Sequence, residues 1–396
     1  MSGPLAGVKV LELAQIMAGP TCGMMLADLG ADVIKVERIP GGDDTRRMDR
    51  PAVRGESASF MAMNRNKRGI ALNLKLPAAQ DALKRMAARA DVVTENYRKG
   101  TMEKLGLGYE KLKAINPALI YCSISGYGRS GPYADKGGYD LIAQGQSGLM
   151  AVTGEPGRAP VKSGGPVCDI GAGVLAALGV VSAYVHRLKS GQGQLVDTSL
   201  FEAGIQQMYW QAAIYFATGE SPGPTGSAHI LSAPYQAFRA ADGHFTAGAA
   251  NDKLWPRFCA VLGREELARD PRFASNAERM RNLEALTEAL NAKVVSRKSK
   301  DLIAALEAAG VPCGPINSIA EMAADPQTLA REMVVELDHP LAGRTRALGL
   351  PIKLSSTPGG VKRPAPTFGQ HTREVLGEFG FSVAEIDSLY AANAVA

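Results

Sequence analysis

Residues 8–36 read VKVLELAQIMAGPTCGMMLADLGADVIKV, an apolar run, a glycine turn and a second apolar run separated by one helix length. Residues 8–13 predict a strand. Gly19-Pro20 follows, and Pro20 suits the first turn of a helix, where a missing N–H costs nothing. Residues 22–29 predict that helix, ended by Gly30, and residues 32–36 predict the next strand. Further along, residues 70–74, 91–95 and 119–124 are strand-like and residues 78–90 are helical. Strands separated by helix-length segments imply βαβ units, a mainly parallel sheet and right-handed crossovers.

After Gly191 the character changes. Residues 196–210 predict one further element, and Ser221-Pro222-Gly223-Pro224-Thr225-Gly226-Ser227 is the clearest linker in the chain. Residues 235–246 alternate and contain Ala241-Asp242-Gly243, a hairpin turn signal. Residues 255–309 are rich in helical pattern. The predicted class is α/β, with a large Rossmann-like parallel-sheet domain over residues 1–220 and a small α+β domain over residues 225–325. Residues 326–396 predict a return linker, Pro/Gly-rich at 355–366, and a C-terminal part that completes the large domain.

At 396 residues, 46% hydrophobic and 21% charged, the composition is that of a globular protein and excludes a disordered or fibrous one. The longest apolar stretches, such as residues 170–185, are interrupted by glycines and read as too short to span a membrane. The net charge of +5 is spread without a dense Lys/Arg tract, which argues against a nucleic-acid partner. The five cysteines are odd in number, scattered and without a CxxC pair, so neither a disulfide framework nor a metal site is expected. With no basic-then-apolar leader ahead of the first strand, the expected location is cytoplasmic.

The opening strand, turn and helix, with Glu37 ending the second strand, has the outline of a dinucleotide site. The turn itself reads Ala14-Gln15-Ile16-Met17-Ala18-Gly19-Pro20. Two of the three glycines of G-x-G-x-x-G are missing, and Pro20 removes an amide that a pyrophosphate would use. NAD or FAD binding is therefore not expected. No G-x-x-x-x-G-K-[ST] loop is present either.

The stretch richest in chemistry is Ser163-Gly164-Gly165-Pro166-Val167-Cys168-Asp169, leading into a helical pattern over residues 170–186. Gly171, Gly173 and Gly179 would let that helix pack closely. A lone carboxylate at such a helix start admits three readings: an N-cap, a charge favoured by the helix dipole, or a nucleophile beside glycine-rich backbone. Spacing alone does not choose among them.

Here the chain resembles the class III CoA-transferases, the formyl-CoA transferase or carnitine CoA-transferase family. The resemblance is carried by the run 26–37, by Gly41-Gly42-Asp43, Asn66-Lys67-Arg68-Gly69, Glu95-Asn96-Tyr97-Arg98, Gly106-Leu107-Gly108-Tyr109 and Ser125-Gly126-Tyr127-Gly128. Gly191-Gln192-Gly193-Gln194 and Gly314-Pro315-Ile316-Asn317 continue it, in order, over the whole chain. It implies an interlocked homodimer and Asp169 as a nucleophile that forms an aspartyl-CoA thioester. It implies no permanently bound cofactor, with coenzyme A or acyl-CoA as substrate.

By the same resemblance Gln15 and Ala18, within residues 15–18, supply backbone donors to an oxyanion. Arg38 and Lys75 meet the CoA phosphates, and Leu72, Asn73, Asn96, Tyr97 and Arg98 line the adenine and pantetheine path. Lys104 stands where the family often has arginine, and Tyr139 and Asp140 lie beside the nucleophile. Residues 247–251 match a glycine-rich loop but hold less glycine, so less mobility is expected. Arg46 and Met48 border the acyl pocket. Residues 226–229, 234–238 and 369–371 look most like members handling succinate- or glutarate-sized acids. Arg46 then either grips a second carboxylate or forms a structural salt bridge.

Two rivals remain at this stage. An α-methylacyl-CoA racemase shares the fold but needs a base, and Gly138-Tyr139-Asp140 lacks the histidine that racemases carry there. A non-catalytic CoA-binding protein would keep the fold and lose the nucleophile, whereas Asp169 is present.

Overall fold

The computed structural model describes residues 3–48 and 50–396. The chain divides into two compact units: Met1–Leu149 with Lys162–Trp210 and Pro326–Ala396, and Met150–Val161 with Gln211–Asp325. The smaller unit therefore begins ahead of the proline-rich linker and also takes a segment from within the first 220 residues.

In the larger unit, strand β1 (Lys9–Leu13) leads through helix α1 (Ala18–Asp28) to β2 (Asp32–Arg38). A two-stranded ribbon of β3 (Ala52–Val53) and β4 (Glu56–Ser57) precedes α2 (Ala58–Asn64) and β5 (Arg68–Leu72). Then come α3 (Pro77–Ala87), β6 (Val92–Glu95), α4 (Thr101–Lys104), α5 (Tyr109–Ile115) and β7 (Ile120–Ser125). The series ends with α6 (Asp140–Gln146), α7 (Val167–Ser190), β8 (Leu195–Ser199) and α8 (Leu200–Gln206). Residues 196–210, expected as one element, thus hold the rest of a strand, a helix and the start of another. Ser199 ends the strand by capping α8, its hydroxyl accepting the Glu202 N–H at 3.1 Å.

Six strands form one parallel sheet in the order β5-β2-β1-β6-β7-β8. Alternation along each strand splits the core into two layers. Val10, Val33, Val92 and Cys122 face α1 and α7, while Leu11, Ile34, Val93 and Tyr121 face α3, α5 and the C-terminal helices Thr372–Glu378 and Val383–Ala391. The chain runs outward from β1 to β5, then returns to β6 on the other side. The order reverses between β1 and β6, the switch point at which open α/β sheets leave a crevice beyond the strand ends.

Helix α7 has 24 residues and, by length and apolarity, could cross a membrane, which corrects the expectation that its glycines cut it short. Those glycines serve packing instead. A Cβ on Gly173 would lie 2.5 Å from the Ala18 carbonyl oxygen and the Thr21 Cβ, so only glycine lets α7 approach α1 this closely. Gly179 is equally tight against Val196, whereas Gly171 has ordinary clearance.

The smaller unit has an antiparallel sheet of order β11-β10-β9, where β9 is Tyr235–Ala240, β10 is Gly243–Gly248 and β11 is Cys313–Pro315. The expected hairpin turn at Ala241-Asp242 joins β9 to β10. Phe238, Phe245, Trp255 and Phe258 form its core with Leu286, Leu290, Leu302 and Leu306 from the covering helices. The wholly buried Arg279 donates to the carbonyls of Ala233 (2.7 Å), Phe273 (3.0 Å) and Ala250 (2.7 Å). With Gly248 N–H on Pro312 O and Ala249 N–H on Pro234 O, residues 248–250 are tied down at each step.

Candidate active site

A cleft of about 270 Å³ opens at the switch point of the parallel sheet. Its floor is the turn after β1 (Gln15, Ile16, Met17, Ala18) and the turn after β6 (Asn96, Tyr97, Arg98). One wall is the end of β7 with Ser125 and Gly126, closed by Gly138 and Tyr139. The other is Asp169, in the first turn of α7, with Leu200 opening α8. Gly126 and Gly138 touch backbone to backbone: a Cβ on Gly126 would stand 2.7 Å from the Gly138 Cα.

The two floor turns are locked together. Gln15 N–H donates to Asn96 Oδ1 at 2.8 Å, and Asn96 Nδ2 donates to Gln15 O at 2.8 Å. Asn96 was expected to meet the CoA path, but its amide is spent on backbone. Tyr97 places its hydroxyl on the Gln15 side chain, and burial raises its pKa. Ile16 N–H is also taken, by both carboxylate oxygens of Asp43 at 3.2 and 3.3 Å. Of the four amides expected to serve an oxyanion, only those of Met17 and Ala18 stand at the opening of α1, where first-turn amides have no intrahelical acceptor.

Asp169 is not the cap of its helix. Asp140 Oδ1 accepts the N–H groups of Cys168 (2.9 Å) and Asp169 (3.3 Å), and Asp140 Oδ2 accepts from Gln144 Nε2 at 2.6 Å. Asp169 is half-buried, and its carboxyl is pushed from the ordinary 3.8 up to about 6, first by burial and then by the Asp140 charge. Cys168 is buried beside it, and burial with the same two carboxylates lifts its thiol to about 11. At neutral pH the carboxylate is ionised and the thiol is not.

The structure thus brings Gln15, Ala18, Asn96, Tyr97, Arg98, Tyr139 and Asp169 to one cleft, with Asp140 directly behind Asp169. Other candidates lie outside it. Arg38 is exposed as the last residue of β2 and paired to Asp44, and Lys75 is exposed three residues past the end of β5, at the same edge of the sheet. Asn73 donates its N–H to Ala394 O, and Lys104 is exposed at the end of α4. Leu72 is fully buried in the core, which corrects its assignment to the ligand path.

Met48 is exposed beyond the cleft, after the short turn Asp44–Arg47. Arg46 is committed elsewhere: its Nε and Nη2 each donate at 2.7 Å to the buried Glu37 carboxylate, and its guanidinium lies 3.6 Å from the centre of the Phe60 ring. Of its two readings, the structure supports the salt bridge. Ser125 and Gly126, quoted only as a motif, prove to be cleft wall, and nothing local in the sequence marks Leu200 as its neighbour.

A larger hollow of about 790 Å³ lies in the smaller unit, lined by Thr246, Ala247, Gly248, Asn251 and Cys313 among others. Burial raises its Cys313 thiol, which keeps that group protonated at neutral pH. Among the described residues no cluster of side chains suits a metal ion.

Comparison with known proteins accords with this geometry. The family model described as CoA-transferase family III matches residues 5–372. The succinate–glutarate CoA-transferase of Agrobacterium fabrum is 42% identical over 381 residues, 95% of each chain. The succinyl-CoA:glutarate CoA-transferase of Mus musculus is 38% identical over 375 residues, 95% of this chain and 86% of the other. The crystal structure of a CAIB/BAIF family protein from Brucella suis matches with a TM-score of 0.86 at 42% identity, covering 96% of this chain and 100% of that one. The resemblance read from the motifs is borne out over nearly the whole length, and the chain belongs to the class III CoA-transferases.

Proposed function

We propose that the enzyme moves CoA from succinyl-CoA to a short dicarboxylic acid of about glutarate size, through an aspartyl-CoA thioester on Asp169. The observation that carries this reading is Asp169 itself: an ionised, desolvated carboxylate in a cleft whose floor carries the α1 amides. The dicarboxylate acceptor is inferred from the names of the two relatives above.

In the first step an Asp169 oxygen attacks the thioester carbonyl of the donor. The tetrahedral oxyanion is met by the amides of Met17 and Ala18, and CoA leaves as a thiolate. The thiolate then attacks the carboxyl carbon of Asp169 in the mixed anhydride, forming the aspartyl thioester and freeing succinate. The acceptor carboxylate repeats the exchange in reverse: it attacks the aspartyl carbonyl, expels the thiolate, and is itself attacked by that thiolate. Asp169 returns as a carboxylate. At every stage one acyl group is held as a thioester or an anhydride, the activation passing from succinyl to aspartyl to acceptor, so no external energy source is needed.

The test mixes enzyme, succinyl-CoA and glutarate and follows glutaryl-CoA by mass. Asp169→Ala should abolish transfer, and hydroxylamine should trap a modification on Asp169 during turnover of the native enzyme. Trapping on Cys168 alone, or full activity of Asp169→Ala, would sink the mechanism. Strong preference for long monocarboxylates would sink the acceptor.

The reading extends to an interlocked homodimer in the cytoplasm. It is supported by the face of α7 that leaves Ile170, Val174, Leu178 and Leu188 exposed. Sedimentation showing an active monomer would refute the dimer.

A further inference from the structure

Ile16 has φ +66°, a left-handed conformation that a β-branched residue avoids. Neither a glycine nor an asparagine eases the turn, so something outside it must hold Ile16 there. The holder is Asp43. Its carboxylate is almost wholly buried and accepts from four donors: the Ile16 N–H, Lys35 Nζ at 2.7 Å, and the Thr45 N–H and hydroxyl at 2.9 and 2.8 Å. Asp43 is fixed in turn by its own N–H on Glu37 Oε2 at 3.0 Å.

Lys35, also wholly buried, donates its third hydrogen-bond arm to Ala14 O at 2.8 Å and pairs with Glu12 at 3.2 Å. One ammonium group therefore grips both the strand end before the turn and the carboxylate that holds the turn. Burial opposes ionisation of Asp43, yet Lys35 and Thr45 keep its carboxyl down at about 2. A cluster of apolar side chains could fill this volume with equal stability. No apolar group could accept the Ile16 N–H.

We propose that Asp43 is a positioning residue for the transfer reaction: it holds Ile16 in the left-handed conformation and so aims the Met17 and Ala18 amides at the carbonyl under attack. The inference rests on the Asp169 mechanism proposed above. It assigns to Asp43, which lies behind the cleft and touches no substrate, control of the rate of the covalent step.

The experiment measures release of succinate and labelling of Asp169 in a single turnover with succinyl-CoA. Asn in place of Asp43 presents one acceptor oxygen and turns N–H groups on Lys35 or Thr45. Asp43→Asn should slow labelling about tenfold, the order of the population penalty on a left-handed non-glycine residue, and leave KM for succinyl-CoA within about twofold. Adding Ile16→Gly to Asp43→Asn should restore most of that rate, because glycine adopts positive φ freely. If Asp43→Asn does not fold, Ile16→Pro carries the test alone. Proline fixes φ near −65° and lacks the N–H, so it removes the left-handed conformation and its bond to Asp43 together, while the exposed Ile16 side chain itself takes nothing from the core. Labelling should fall about a hundredfold, the cost of a misplaced catalytic group, in protein that circular dichroism still reports as folded, although its melting temperature falls with the lost Asp43 bond.

Wild-type labelling rates in Asp43→Asn or in Ile16→Pro would overturn the inference, as would a loss confined to KM or one that Ile16→Gly leaves unrepaired. Turnover of the native enzyme with no label on Asp169 would overturn the mechanism and this inference with it. Labelling of the native enzyme with indifferent variants would overturn the inference alone.

Discussion

Replacing Asp140 by asparagine should separate its two effects on Asp169, one of geometry and one of charge. Asparagine keeps the oxygen that caps Cys168 and Asp169, so α7 keeps its start. The charge is lost. The Asp169 carboxyl rises from 3.8 to about 6, with burial the larger cause and Asp140 the smaller. Asp140 therefore supplies at most half of the rise, about one pH unit or ~1.4 kcal/mol. Transfer requires ionised Asp169, so activity is present above the raised pKa and is lost as pH falls through it. The log of kcat/KM for succinyl-CoA, plotted against pH, should bend near 6 in the native enzyme and no lower than about 5 in Asp140→Asn. Urea stability at neutral pH should change by no more than about 1 kcal/mol, because the new amide faces the Gln144 amide that now donates to Asp140 while the repulsion of Asp169 is relieved. An acid limb that stays in place while stability falls by several kcal/mol would show that Asp140 only builds the helix start.

Arg46→Ala should cost about 3–5 kcal/mol in urea unfolding by leaving the buried Glu37 carboxylate unpaired, without changing the ratio of kcat/KM for glutarate over a monocarboxylate of similar length. A changed ratio would return Arg46 to the acyl pocket. Arg279→Met should destabilise the smaller unit by about 3 kcal/mol or more, since three buried carbonyls lose their donor; hydrogen exchange confined to residues 233–273 would report it, and unchanged exchange would refute it. Gly173→Ala should cost about 1–3 kcal/mol and lower kcat, because the added methyl must push α1 and its site amides away. Native stability and kcat together would show that the two helices part without disturbing the cleft.

The parallel sheet was legible because its signals are local. Residues 8–36 carry apolar runs of strand length around a helix, and a proline near the helix start is tolerated where amides are free. That tolerance also explains the one displacement there: α1 starts at Ala18, ahead of Pro20, not at residue 22. The missed break at 199–200 had a signature too, Ser199-Leu200-Phe201-Glu202, which matches a helix-capping pattern. What could not be read are bonds between residues far apart in the chain. Asn96 clamps Gln15 from 81 positions away, and Arg46 reaches Glu37 together with the Pro366 carbonyl, 320 positions on. The resemblance gave Asn96 as a ligand contact and left Arg46 between a ligand contact and a structural salt bridge. Only the fold shows that their polar groups are already occupied.

The same accounting removes the capping reading of Asp169, because Asp140 caps the helix instead. A carboxylate in the first turn ordinarily caps the free amides, and it is then stabilised and inert. Here Asp140 has taken the Cys168 and Asp169 amides, from a separate helix, and contributes its own negative charge. Asp169 is left half-buried beside a like charge, without the hydrogen bonds its position would normally supply. A carboxylate held in that state is more basic than one in water, and in the proposed mechanism attack on a carbonyl would remove its buried charge. If Asp169 is the nucleophile proposed above, then removing the Asp140 cap, the burial or the α1 amides across the cleft should each weaken transfer before it unfolds the chain.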